Sequence, residues 1–486
     1  MYFHTIPYYG QYKTRSFFMN INIVPLQFDS NSTEPLYAQL FHYLKDLIIK
    51  GDLTFGDKLP PIRSFAKALE VNNITVINAY KQLEHTGYVT SKQGSGYYVS
   101  KRPSEESSGF TSKPIDTSSL INFSSASPDP GIFPTETFKQ YIVEVIERDK
   151  GYAFGYQEVN GFMKLREVLA DFLLKTYGIK TSADCIQMVS GAQQGLDIIA
   201  KSLLYSGDSV ITENPTYNGA VDVFKSRGCR IVPVSLTPFG LDLVEFEKKV
   251  KICKPKLVYI MPNFQNPTTI CYNKTTLLAL LKLAETYNFY LLEEDSMWEL
   301  NYGSRESLSL KALDTMDRVI HLKSFSKLLM PGLRIGFIIM PQALIDSFTR
   351  TKQTTDISSS GLMQRALELY FKNNKWQEHI QYMKEVYKGR YECMCSKLLE
   401  LEDYGVDVYK PEGGVCFWLK LPKGMSAQKL YEKCYKEGLL IFPSPIFYPH
   451  LDPAKDNSIR LSFATCTISD IEQGTEILKE CVKNYF

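Results

Sequence analysis

The stretch His321-Leu-Lys-Ser324-Phe-Ser326-Lys327-Leu-Leu-Met-Pro-Gly-Leu-Arg334-Ile-Gly336 decides how the chain is read. A lysine amine can form an imine with an aldehyde, and hydroxyls beside an arginine can hold a phosphate dianion. Ser324 stands three residues before Lys327, and Arg334 seven after it. On its own such a stretch also fits a solvated Ser/Lys-rich loop. Its weight comes from what precedes it.

Four upstream segments repeat one pattern, a short apolar run followed by polar residues. Ile186–Val189 leads into Gly191-Ala192-Gln193-Gln194-Gly195, where a turn opening a helix presents backbone N–H groups and the helix dipole to phosphate. Glu213-Asn-Pro215-Thr216-Tyr217 follows Val210-Ile211-Thr212 and offers an aromatic ring for stacking on a pyridine. Asn263-Phe-Gln-Asn266-Pro267-Thr268 follows Leu257–Ile260 and offers an amide donor for a phenolate oxygen. Leu291-Leu-Glu293-Glu294-Asp295 ends in carboxylates, one of which can pair with a pyridinium nitrogen. Runs of this kind alternate with amphipathic stretches such as Lys274–Tyr287, which predicts an α/β fold with a parallel sheet covered by helices. The groups then collect at the carboxyl ends of the strands.

Order and wording resemble the fold-type I aminotransferases over residues 120–486. Further matches are Gly155-Tyr156-x-x-x-x-Gly161-x-x-x-Leu165-Arg166, Gly413-Gly414 and Ile459-Arg460-Leu461-Ser462-Phe463. The resemblance implies pyridoxal 5′-phosphate (PLP) as cofactor, a large domain with a smaller C-terminal α+β subdomain, and roles for single residues. Lys327 would bond the cofactor aldehyde. Ser324, Ser326, Arg334 and the N–H groups of Ala192 and Gln193 would hold its phosphate. Tyr217 would stack on the ring, Asn266 would face its 3-oxygen, and Tyr156 would reach the phosphate of the partner subunit. Arg460 would take the carboxylate of a substrate or effector. The family usually reads Glu-Asp-Asp followed by Tyr where this chain has Glu293-Glu294-Asp295-Ser296-Met297. A strict alignment puts Glu294 opposite the pyridine nitrogen. A shift of one residue puts Asp295 there, and Asp295 is the preferred choice because a longer Glu would crowd the ring.

Ahead of this body, Tyr37–Lys50 places Leu40, Tyr43, Leu44 and Leu47 at helical spacing and Gly51 ends it. A second helix begins near Pro61 and runs to Leu69. The turn Glu70-Val71-Asn72-Asn73 leads to a third helix, Ile74–Thr86, and Tyr88-Val89-Thr90 and Tyr97-Tyr98-Val99 flank Lys92-Gln93-Gly94-Ser95-Gly96 as a hairpin. The expectation is a winged helix-turn-helix, whose later helix can enter a major groove. Lys45, Lys50, Lys58, Arg63, Lys67, Lys81, Lys92 and Lys101 outnumber Asp46, Asp52, Asp57, Glu70 and Glu84. Pro35-Leu-Tyr-x-Gln39, Gly56-x-x-Leu59-Pro60-x-x-Arg63-x-x-Ala66, Thr75-Val76 and Gly94-x-Gly96 resemble the GntR family of bacterial regulators. That resemblance implies DNA contact by Arg63, entry to the recognition helix at Thr75, and minor-groove approach at Gly94.

Composition supplies bounds. The 486 residues exceed one ordinary core, and 44% hydrophobic with 22% charged residues excludes collagen-like or mostly disordered chains. With 55 basic and 53 acidic residues the net charge is +2, so a nucleic-acid partner has to be met by a local patch. Ten cysteines between Cys185 and Cys481 show no metal-ligand spacing and read as reduced thiols in a cytoplasmic protein. No apolar run of membrane-spanning length occurs. Residues 1–31 read as a tail, of which 1–18 are either disordered or an over-long start ahead of Met19. Residues 32–101 form the head, the Ser- and Pro-rich 102–119 a linker, and 120–486 the body.

Head and body together resemble the MocR subfamily of GntR regulators. The resemblance implies a transcriptional regulator that binds double-stranded operator DNA as a domain-swapped, head-to-tail homodimer. Its effector would be PLP with or without an amino acid or amine. A linker of about 18 residues has a mean reach of about 25 Å at roughly 5–6 Å × √n. A working aminotransferase with a vestigial head is the competing reading. A scaffold without cofactor is opposed by Lys327, Ser324 and Arg334 occurring together. On the reading helix Asn72, Asn73 and Asn78 stand where the family often carries Ser-Arg and Arg. Because Asn pairs bidentately with adenine, the operator is predicted to lean to A·T. In vitro selection of bound duplexes checks this, and a G·C-rich consensus would count against it.

Overall fold

The computed structural model describes residue 28 and residues 35–50, 52–53, 56–92, 95–100, 120–304, 308–450 and 452–485. Gly94 and the stretch 102–119 read as a linker lie outside the described residues, as do residues 1–27 and the side chain of Lys92. The chain divides into two compact units, residues 1–117 and 118–486.

The first unit contains helices α1 (Leu36–Lys50), α2 (Ile62–Ala68) and α3 (Asn73–His85), then strands β1 (Val89–Lys92) and β2 (Gly96–Val99). The strands pair antiparallel from Val89 opposite Val99 to Lys92 opposite Gly96. Leu40, Phe41 and Leu44 of α1 and Val76, Ala79, Tyr80 and Leu83 of α3 are buried, the spacing of one apolar helix face. Tyr80 spans this core and donates its hydroxyl to the Pro60 carbonyl at 2.8 Å. The third helix starts one residue earlier than its apolar pattern suggests. Asn72 caps it, its Oδ1 accepting from the Ile74 N–H at 3.0 Å, so the entry belongs to Asn72 rather than Thr75.

In the second unit the strands are β3 (Ile121–Asn122), β4 (Ile186–Val189), β5 (Ser209–Asn214), β6 (Arg230–Thr237), β7 (Gly240–Leu241), β8 (Leu257–Ile260), β9 (Tyr290–Asp295), β10 (Val319–Ser324) and β11 (Gly336–Ile339). A smaller set follows, β12 (Asp407–Val408), β13 (Cys416–Lys420), β14 (Leu439–Leu440), β15 (Phe442–Pro443) and β16 (Ser458–Ser462). The large sheet has the order β4-β11-β10-β9-β8-β5-β6-β7, and β12-β13-β16-β15 form a second sheet. β3 pairs in parallel with β14, tying the start of this unit to its C-terminal part.

Helices cover both faces of the large sheet. Leu196 and Ile199 of helix Ala192–Leu203 meet Tyr259, Leu292 and Leu322 on one face, while Phe246, Leu277 and Leu280 meet Ile211, Val258 and Leu291 on the other. Alternate residues of β9 thus serve opposite cores, as the pleat requires. The sheet departs from the parallel expectation at the edge strand β7, antiparallel to β6, and at β11, which runs antiparallel to both β10 and β4. Only residues 325–335 separate β10 from β11, too few for a crossover with its helix. Gly195 lies so close to Leu322 that a Cβ there would collide with it, which seats the helix N-terminus hard against the strand ends.

Leu44 is fully buried in the small core of the head. Leu44→Ala is expected to lower the unfolding free energy of that unit by about 2–5 kcal/mol, measured by urea titration followed by circular dichroism.

Candidate functional site

Around the carboxyl ends of β4, β5, β8, β9 and β10 lies a cavity of about 370 Å³, a size that takes a small ligand. Its walls bring together Lys327, Ala192, Gln193, Tyr217, Asn266, Glu294, Ser324, Ser326, Arg334 and Arg460. These positions are spread over nearly 270 residues of sequence and meet because most follow or end a strand of the large sheet, while Arg334 comes just before β11 and Arg460 lies within β16 of the second sheet.

One end is an anion seat. Helix Ala192–Leu203 starts after Gly191, whose φ of +81° is a left-handed conformation suited to glycine. A Cβ at Gly191 would come within 2.8 Å of the Arg334 guanidinium. Arg334 donates to the Ser190 carbonyl at 2.6 Å, and Ser324 accepts from the Ser326 N–H at 3.2 Å. The first N–H groups of the helix have no intrahelical acceptor. Helix N-terminus, guanidinium and two hydroxyls together form a donor set for a phosphate dianion, and a side chain on Gly191 would fill the gap between helix and guanidinium.

The Lys327 amine donates to the Ala126 carbonyl at 2.8 Å, and among the described residues no carboxylate forms an ion pair with it. Burial holds this amine below the usual lysine range; Cys416 and Glu294 oppose that shift and the Arg460 charge adds to it. A depressed amine is the form that attacks a carbonyl. Tyr217 lines the wall and donates to Gln193 Oε1 at 3.4 Å. Arg460, only 7% exposed, donates to Asn266 Oδ1 at 2.9 Å and to the Ser124 carbonyl at 2.8 Å, while its Nε has no partner. A buried guanidinium held by neutral acceptors is short of one anion.

Asp295, the preferred ring-nitrogen carboxylate, is turned away from the cavity. Asp295 does not line the cavity; Glu294 does. In the parallel pair β9–β10, Glu294 stands opposite Leu322 and Asp295 opposite Lys323, so the two carboxylates point to opposite faces. Asp295 accepts from the buried Lys323 amine at 2.9 Å, as Glu299 does at 3.1 Å, and Tyr177 donates to Glu299 behind them. Glu294 accepts from the Tyr259 hydroxyl at 2.6 Å and from Ser296 at 3.4 Å. Burial nevertheless pushes its carboxyl above the usual range.

Tyr156 is not brought to the cavity within one chain. It is 86% exposed, beside Tyr152 and Phe154, which are also exposed. In the head, Arg63, Asn73 and Asn78 are exposed and Thr75 is half-buried. Asn72 is exposed as well, but its Oδ1 is engaged in the cap. The sequence reading missed Ile74, 62% exposed at the start of the recognition helix; an apolar residue out of phase with the core face was the available signal. It also missed Tyr259, Lys323 and the carbonyls of Ser124 and Ala126. Among the described residues no cluster of His, Cys, Asp or Glu could hold a metal, and no helix is long and apolar enough to cross a membrane.

The family model for aminotransferases of class I and II matches residues 119–478, and that for bacterial regulatory proteins of the gntR family matches residues 36–99. An uncharacterized HTH-type transcriptional regulator of Bacillus subtilis strain 168, YdfD, is 30% identical over 90% of this chain and 95% of its own. The probable rhizopine catabolism regulatory protein MocR of Rhizobium meliloti is 26% identical over 88% of this chain and 90% of its own. The crystal structure of a kynurenine aminotransferase from Pyrococcus horikoshii, in complex with PMP, is similar with a TM-score of 0.72 and 34% identity, covering 76% of this chain and 92% of that one.

The two carboxylates are expected to separate by mutation. Asp295→Ala removes one of two partners of a buried ammonium and should cost roughly 3 kcal/mol of stability. Glu294→Gln should change stability by less than about 1 kcal/mol yet shift the visible absorbance of added PLP. Urea unfolding and absorbance spectra of both variants check this, and the opposite pattern would restore Asp295.

Proposed function

We propose, for a chain that belongs to the class I and II aminotransferase family and joins it to a gntR-type head in the MocR-type architecture, that the body of this PLP-dependent transcriptional regulator senses its cofactor together with an amino compound. The observation that carries the reading is the Lys327 amine, depressed by burial and without a carboxylate partner, in one cavity with an anion seat. Bound there, PLP supplies an aldehyde and an electron-withdrawing ring.

The chain's own groups divide the work. The N–H groups of Ala192 and Gln193 with Ser324, Ser326 and Arg334 hold the phosphate, and Tyr217 packs on the ring. Lys327 would present its amine to the cofactor's aldehyde. Glu294, held by Tyr259, faces the ring nitrogen, and Asn266 faces the 3-oxygen. Arg460 pairs with the carboxylate of the amino compound. Burial raises the Glu294 carboxyl, and the Tyr259 hydroxyl holds it toward the cavity as the acid nearest the ring. The depressed Lys327 amine is also what a working aminotransferase needs for proton transfer, so slow half-reactions accompany this reading.

Transmission starts at the same two cations. Lys327 and Arg460 donate to the Ala126 and Ser124 carbonyls, a few residues from the stretch 102–119 that joins body to head. Ligands that engage the amine and the guanidinium compete with these carbonyls, and the competition biases a two-state equilibrium. The exposed Tyr152, Phe154 and Tyr156 fit a surface buried against a second copy, whose cavity Tyr156 would reach. A head-to-tail, domain-swapped homodimer then places two heads on paired half-sites of a duplex in the cytoplasm. In each head Arg63 and Lys92 contact the backbone, Asn73, Asn78 and Ile74 face base edges, an isoleucine suiting thymine methyls, and Gly94 lets the wing approach.

The test is an absorbance spectrum of the full-length protein with PLP, before and after borohydride, beside Lys327→Ala and a mobility-shift titration with operator DNA. Expected are a visible band fixed by reduction and absent in Lys327→Ala, and a change of about fivefold or more in DNA affinity when cofactor and amino compound are present. A band with rapid turnover and unchanged DNA affinity would favour the aminotransferase; no band would refute the cofactor reading.

A further inference from the structure

We infer that the amino compound accepted by this cavity carries one carboxylate and an uncharged, largely apolar side chain, an inference that rests on the cofactor reading above. It follows from an account of the charges in the walls. The cations lining the cavity are Lys327, Arg334 and Arg460. Lys327 is committed to the aldehyde, Arg334 sits at the anion seat beside Gly191, and Arg460 is left for one carboxylate. No cation remains for a second carboxylate. Glu294, the one acid among the described residues of the walls, is bonded to Tyr259 and Ser296 and faces the ring, so among those residues no anion remains for a side-chain ammonium.

Neutral polar groups do not make up the difference. The Gln265 amide donates to Glu213 and to the Pro215 carbonyl, both at 2.9 Å, and its oxygen accepts from Thr268. Asn263 donates to the Leu308 carbonyl at 3.0 Å. The remaining polar lining, such as Gln193, Asn218 and Thr269, is uncharged, and Met261, Phe264, Met297, Val415, Phe442 and Phe447 make much of the wall apolar. Phe442 and Phe447 lie 4.8 and 5.1 Å from the Arg460 guanidinium. Across the cavity Gly414, at φ +77°, lets Phe264 and Met297 close in: a Cβ on it would stand 3.2 Å from Phe264 and 3.9 Å from the Met297 sulfur. A second charge placed among these groups would be buried without a partner, whereas an aliphatic or aromatic side chain gains by leaving water.

The experiment uses full-length protein loaded with PLP, titrated separately with phenylalanine, leucine, glutamate and lysine while the visible spectrum is recorded. Phenylalanine and leucine are expected to change the spectrum at concentrations at least tenfold below those needed for glutamate or lysine. A response to glutamate or lysine that equals or exceeds the apolar ones would overturn the inference and leave the cofactor reading standing, as would a loaded protein that answers none of the four. A protein without the PLP band sinks both. Met297→Arg supplies the missing cation and should move the order toward glutamate by tenfold or more, the band with PLP alone reporting that the variant is folded. An unchanged order in a folded variant would overturn the inference.

Discussion

Strands β9 and β10 run side by side in the same direction, with Glu294 opposite Leu322 and Asp295 opposite Lys323, and the pleat gives these neighbours no choice of face. Leu322 takes Gly195 against it, which fixes helix Ala192–Leu203 and delivers its N-terminus to the strand ends. Glu294 shares that face and so becomes a wall of the cavity. Asp295 is turned into the opposite core, where it needs a countercharge and finds Lys323. The loop carrying Ser324, Ser326, Lys327 and Arg334 leaves β10 from the end of the same register. A slip of one residue would invert every one of these placements.

That dependence marks where the sequence could be read and where it could not. The strands and the order of their polar ends were legible, because a short apolar run followed by turn chemistry is a local signal. Helix Lys274–Tyr287 and strand Leu257–Ile260 have the bounds their patterns suggest. The choice between Glu294 and Asp295 was not local: it turns on a lysine on a neighbouring strand and on pairing that spacing along one strand does not reveal. The antiparallel course of β11 followed from the shortness of residues 325–335, a signal that was present but unused. Asn72 was read as a base reader, although an Asn just ahead of an apolar-periodic run is also the ordinary sign of a cap. The carbonyls of Ser124 and Ala126 left no trace, since any residue supplies one.

Electrostatically the cavity is a set of cations held by neutral partners. Lys327 rests on a carbonyl, Arg334 on another, and Arg460 on an amide oxygen and a third carbonyl with two phenyl rings beside it. Such an arrangement costs stability in the free protein and is relieved by anions. The contrast with the Lys323 site, four residues earlier in the chain, is instructive. There a lysine of the same strand-to-loop segment is fully buried with two carboxylates and a tyrosine ring 5.1 Å from its amine, and has nothing left to offer a ligand.

Lys323, Asp295 and Glu299 also limit how this lineage can change. An uncharged residue at 323 strands two carboxylates in a dry core, and a neutral residue at either acid leaves the ammonium with half its partners. Each single exchange weakens the protein, so a tolerated change at one position calls for changes at the other two. The carboxylate facing the cavity, one residue from Asp295 but on the other side of the sheet, is held by neutral hydroxyls, so its replacement strands no buried charge. Drift in ligand chemistry can therefore proceed at 294 while the strand beside it stays locked.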